Sequence, residues 1–440
     1  MKTTRNNLVI SRPVEGRGFY SPRYSPGFHR FVRMVGKGYL KLVEGITAVE
    51  MEGEDYLIDS FRKFQQGQSR LIILFRHPSR WDPPVLAYAL NNLLPRAAAK
   101  KGTPLPSLPH AQFLYGKDVL SWAGPPAVFA FPRLGHIPVQ NLGTNKEGMN
   151  LLRRELTGSR FPIALAPESQ INYHVHQCAP LAPGFTSMAQ WTLEAGKEVL
   201  ILPVALGYRY PTPPGEMAEK LLEKWEAETG GKTCLDRETS LGKRLREATH
   251  ITLKILEDFY RIPAGSEGDV TSRRDRICHS ALEEAESIFH LPGRGTILDR
   301  VFQIRYTAMG RIYPEGENPK DHHPLNRAIL DFRTLEAKAA LRHNQIVDVL
   351  EYLDPSYIDA PCSPACHCEY ALNLLDILNR LKGGDISSRY HPRGVTAVVR
   401  AGEPLNARTW LGDSPDRESR RILHGETGVR MQRLSEELRV

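Results

Sequence analysis

"LIILFRHPSRWDPPVLAYAL", residues 71–90, is an apolar run that stops at a polar turn and resumes with a different period. Leu71 to Phe75 read as a strand leaving a core. Asp82 suits a helix N-cap and Pro83 the first helical position, so a helix over 82–94 follows. The turn between them, Arg76-His77-Pro78-Ser79-Arg80-Trp81-Asp82, places a histidine, a serine and an aspartate within six residues.

The same rhythm runs outward from this unit. Strands are expected at 46–51, 70–75, 135–140, 162–168 and 198–208, with helices at 82–94, 144–156 and 184–196. Strands spaced by helices predict an α/β layered sheet with flanking helices. Past Pro211 the pattern becomes helical, at 240–260, 272–290, 295–312, 325–353 and 368–382. A strand-like run returns at 394–405 and a charged helix covers about 416–438. The expected division is a basic tail and amphipathic helix (1–45), an α/β core (46–215), an all-helical insertion (216–393), and a last strand and helix returning to the core (394–440).

At 440 residues, with 25 % charged and 41 % apolar residues, the chain has ordinary globular composition. Six cysteines are too few for a disulfide scaffold and suggest a reducing setting. No stretch approaches the roughly 20 apolar residues of a membrane span, and no signal-peptide core lies near Met1. The expectation is a cytoplasmic protein, peripheral on membranes. Residues 1–25, rich in Arg and with Glu15 as their one acid, also read as an organelle-targeting segment.

The formal charge of +8 suits anionic partners. In "GFHRFVRMVGKGYLKLVEGI" (27–46), Phe28, Phe31, Val32, Val35, Tyr39, Leu42, Val43 and Ile46 share one helical face. Arg30, Arg33, Lys37 and Lys41 lie elsewhere, each adding about 1 kcal/mol near an anionic membrane surface. A helix packed on its own domain with a solvated basic face fits the same spacing. In 216–393 basic residues alternate with acids and no aromatic-basic clusters appear, so nucleic acid is not expected as a partner.

Histidine moves protons near neutral pH, and an aspartate on its second ring nitrogen sets the tautomer. His77 and Asp82 meet if the turn doubles back, and the pair could deprotonate a substrate hydroxyl, worth about 10²–10⁴ in rate. "HPSRWD" resembles the HxSxxD motif of the glycerolipid (lysophospholipid) acyltransferase family, at His77, Ser79 and Asp82. Four later stretches are similar to that family's blocks, in order. They are 116–140, leading to the second block; "IALAPESQIN" (163–172), through Pro167 and Glu168; "LILPVALGY" (200–208), through Pro203 and Val204; and Gly402-Glu403-Pro404.

The resemblance implies acyl transfer from a thioester of coenzyme A or acyl carrier protein to the hydroxyl of a lipid acceptor. His77 would be the general base and Asp82 its orienting partner. Ser79, Lys117, Gln140, Glu168 and Ser169 are the expected substrate-binding residues, with Glu168 meeting acceptor hydroxyls. No cofactor beyond the acyl thioester and no metal is implied. Gln140 and Ile171 stand where the family usually carries arginines that grip a phosphate, and Arg76 stands where asparagine is usual. Lys117, Arg133, Lys146, His174 and His176 are the candidate replacement cations. The alternative is a non-catalytic, lipid-binding relative of the same fold. Cys362-x3-Cys366-His367-Cys368 has only Cys278-His279 as a conceivable second half for zinc, and its spacing is unlike the usual knuckle.

Overall fold

A computed structural model describes residues 13, 21–116, 119, 123–139, 146–230, 240–263, 269–314, 321–359 and 364–438. The chain is α/β. Eight strands form one mixed sheet: β1 (Ile46–Glu52), β2 (Arg70–Phe75), β3 (Gln112–Gly116), β4 (Ile137–Val139), β5 (Ile163–Leu165), β6 (Val199–Arg209), β7 (Val395–Ala401) and β8 (Leu405–Asn406). Their order is β1-β7-β6-β2-β5-β3-β4, with β8 against β6. Every neighbouring pair is parallel except β6 with β7 and β6 with β8.

The aliphatic run of β2 lacks polar alternation because both of its faces are covered. Leu71, Ile73 and Phe75 pack with α2 (Glu54–Gln65), α3 (Asp82–Tyr88) and α4 (Leu94–Lys100). Ile72 and Leu74 pack on the opposite side with helices Lys146–Gly158 and Gly184–Glu194 and with Leu423 and Met431 of the C-terminal helix Arg417–Glu436.

Between β6 and β7 the described residues contain helices alone, from Pro214–Thr229 to Pro364–Leu381, packed around a core that also takes in Tyr173 from the segment after β5. The chain then re-enters the sheet as β7, between β1 and β6. The 394–405 run is two strands, broken at Gly402-Glu403-Pro404. That break explains how Pro203 sits in a central strand. Pro203 O accepts from Gly402 N at 2.9 Å, so its missing N–H faces the gap between β7 and β8, where no ladder bond is lost.

Strand β3, helix α2 and helix Pro214–Thr229 escaped the sequence reading. The five residues of β3 carry no periodicity long enough to count. The strand expected at 135–140 is three residues long, Ile137–Val139.

Candidate functional site

The His77 turn sits at the C-terminal end of β2. The ring Nδ1 of His77 lies 2.9 Å from Asp82 Oδ2, so the turn does double back. Asp82 is fully buried and meets donors on both oxygens. Ser79 N donates to Oδ2 at 2.7 Å, and the Tyr208 hydroxyl of β6 donates to Oδ1. A carboxylate ringed by donors makes the His77 Nδ1–H a donor too, which leaves Nε2 with its lone pair free. Burial pushes the Asp82 carboxyl up from its ordinary range, and the hydrogen bonds from His77, Tyr208 and Ser79 pull against it. The His77 side chain is 18 % exposed, so solvent-side molecules can reach the ring.

Glu168 follows β5, the strand beside β2, and this adjacency brings it under His77. Its Oε2 accepts from the backbone N–H of His77 at 2.7 Å. Its Oε1 accepts from Arg76 Nε at 2.9 Å, Asn172 Nδ2 at 2.7 Å and Ala179 N at 2.9 Å. With 3 % exposure and four donors, the carboxylate faces inward rather than towards acceptor hydroxyls. Asn172 N donates to His77 O at 3.1 Å, so the backbone of His77 is held at both its N–H and its carbonyl.

Arg76 is equally committed. Its guanidinium is fully buried and also donates to the carbonyls of His174 (2.9 Å), Val175 (3.1 Å) and Gln177 (2.7 Å) and to Ser435 Oγ of the C-terminal helix. A buried arginine of this kind organises the 168–178 loop and has no donor left for a phosphate.

The remaining expected residues scatter. Ser79 Oγ accepts from Trp81 N at 3.2 Å, a turn role. Ser169 takes a left-handed φ of 64° as the chain turns away from β5. Lys117 and Gln140 lie outside the described residues. Among the replacement cations, burial drives His174 down to about 3, so it is neutral, and it stacks on Tyr357 at 3.9 Å. His176 Nδ1 lies 3.1 Å from Ser435 O. Arg133 covers Phe129, and Lys146 opens an exposed helix end.

Tyr208 and Asn172 were missed from sequence. The available signal for Tyr208 was a hydroxyl in an otherwise aliphatic strand, which needs a partner once buried. A hollow of about 40 Å³ lies beside the turn, against Ser79, Trp81, Tyr173, Tyr208, Glu369 and Arg389. It is far below the roughly 300–1,000 Å³ of ligand pockets. Among the described residues no group of three or more His, Cys, Asp or Glu could hold a metal ion. Cys278, Cys366 and Cys368 are buried thiols outside any disulfide, and Cys362 is outside the described residues. No helix of the described residues is long and apolar enough to cross a membrane.

No protein-family model matches the chain, and a search of curated proteins finds no match.

Proposed function

We propose that the chain is an O-acyltransferase that moves a fatty acyl group from a thioester to the hydroxyl of a lysophospholipid or related lipid alcohol. The single observation that carries this reading is the His77–Asp82 pair, held at 2.9 Å on a histidine whose side chain is partly exposed beside a fully buried carboxyl. His77 Nε2 takes the proton of the acceptor hydroxyl as its oxygen attacks the thioester carbonyl. The tetrahedral carbon then expels the thiolate, the C–S bond breaks, and the imidazolium returns the proton to sulfur. Asp82 keeps the ring in the right tautomer and stabilises the imidazolium.

On this reading the eight-stranded sheet is an acyltransferase-like core and residues 216–393 are a helical insertion in it. The 40 Å³ hollow is too small for an acyl chain, so the chain would lie outside it. Arg76 and His174 are both used inside the fold, so neither is available to grip an acceptor phosphate.

The test is incubation of the full chain and of His77→Ala with labelled acyl-coenzyme A and acyl carrier protein donors. The acceptor panel sets lysophosphatidic acid beside phosphate-free lysolipids and long-chain alcohols. Transfer that depends on His77 supports the proposal. Folded protein that binds lipid but turns over no donor–acceptor pair refutes it in favour of a non-catalytic relative.

A further inference from the structure

Helix α1 (Pro26–Leu42) lies on the body of the protein with its amphipathic faces inverted. The stripe turned inward is polar or small: His29, Arg33 and Gly36, with Leu40 its one large buried aliphatic residue. Hydrogen bonds hold it alongside the packing of Leu40. His29 Nε2 lies 2.8 Å from Asn91 Oδ1 and its Nδ1 lies 2.7 Å from the Tyr24 hydroxyl. Arg33 Nε donates to Asn91 O at 3.1 Å, and Asn92 Nδ2 donates to Arg33 O at 3.0 Å. Gly36 leaves room for the ring of Tyr88, which a Cβ would meet at 3.4 Å.

The outward arc is apolar. Met34 is 75 % exposed, Leu42 72 % and Phe31 52 %. At 3.6 residues per turn, Phe31, Val35 and Leu42 lie opposite the inward stripe, and Arg30, Lys37 and Lys41 line one edge of the arc. A second helix, Gly124–Arg133, extends the patch. Its half-exposed Phe129 meets Phe28 edge to face at 5.4 Å, and the Arg133 guanidinium lies 3.7 Å above the Phe129 ring.

Charge selects the occupant. From Gly16 to Val43 the chain has six cations and no acid. An apolar arc with cations along its edge matches a bilayer interface, where apolar side chains enter the acyl boundary and cations stay with the phosphates. We propose that α1, together with Phe129, docks this protein on an anionic lipid surface. The docked helix is wired to the histidine turn. Glu44, just past α1, accepts from Tyr39 OH at 2.6 Å and Trp81 Nε1 at 2.9 Å, and pairs with Arg80 at 3.0 Å. A lipid acceptor would thus be presented near His77, although docking itself is independent of the acyl-transfer reading.

The full chain is sedimented with phosphatidylcholine vesicles with and without phosphatidylserine. Wild type is expected to partition onto the serine-lipid vesicles, and high salt should weaken it. Each cation at the surface is worth about fivefold, so Lys37→Glu/Lys41→Glu, which reverses two charges, should lose 100-fold or more. Phe31→Ser/Leu42→Ser should lose on the order of 100-fold from the removed apolar groups. All four positions are exposed, so melting curves should stay unchanged. Variants that partition like wild type, or wild type that binds neither vesicle, would overturn the proposal. So would a dimer in light scattering that Leu42→Ser dissociates, which would assign the patch to a second copy of the chain. Binding is read without turnover, so failure to dock and failure to transfer acyl groups are separate results.

Discussion

Replacing Glu168 by glutamine keeps the side chain's shape and removes one charge from the scaffold under His77. The Arg76 guanidinium then stays fully buried without its counter-ion. Breaking a buried ion pair by neutralising one partner costs about 3–5 kcal/mol. The new amide NH₂ must also point either at His77 N–H or at the three donors around Oε1, and a donor left facing a donor costs about 1–3 kcal/mol. These contributions overlap, so we take a net loss of about 4 kcal/mol. For a chain of 440 residues melting as one cooperative unit, that lowers the midpoint by about 4 °C. The released His77 backbone also lets the ring drift, and a displacement near 1 Å costs about 10²-fold in turnover. The expected result for Glu168→Gln is a lower calorimetric midpoint and a reduced kcat, with little change in acceptor KM. An unchanged midpoint with KM alone raised would refute this account and return Glu168 to the substrate-facing role its sequence context suggests.

Asp82→Asn reverses the donor pattern seen by His77 Nδ1, and should lower acyl transfer by about 10²–10⁴. Transfer near the wild-type rate would show that the pair is not the catalytic unit. Buried histidines should make the protein acid-labile. His136 and His174 are each held down to about 3 by burial, so the stability they contribute is intact above pH 6.5 and is lost as pH falls from there. Each such group costs about 1.4 kcal/mol per pH unit. The carboxyls of Asp82 and Glu369, raised by burial, act in the opposite sense, so the readout is a difference. His174→Phe preserves the stacking on Tyr357 and should flatten the urea-midpoint profile between pH 6.5 and 5; an identical slope would contradict the assignment. Gly53→Ala should destabilise strongly, because φ is +68° and the new Cβ would stand 2.1 Å from Ala401 O of β7; an unaltered melting midpoint would refute it.

Features that depend on near neighbours were legible from the residue order alone. The strand–turn–helix unit at 70–88 was legible because an aliphatic run, an acidic residue and a proline act within one turn of each other, although Trp81 is the N-cap and Asp82, expected there, is the first helical residue. For the same reason His77 and Asp82 could be paired before any fold was known. The helical character of 240–260 through 368–382 was legible from periodicity alone. Tertiary structure decided everything that depends on which strand lies beside which. Glu168 and Arg76 are 92 residues apart, and only the adjacency of β2 and β5 turns them from a substrate contact and an odd substitution into one buried pair. Tyr208 reaches Asp82 because β6 lies on the other side of β2. The orientation of α1 was undetermined for a similar reason. Its periodicity defines two faces, but the hydrogen bonds of His29 and Arg33 to Asn91 choose which one meets the protein. Local pattern sets what an element is, and distant partners set what its side chains do.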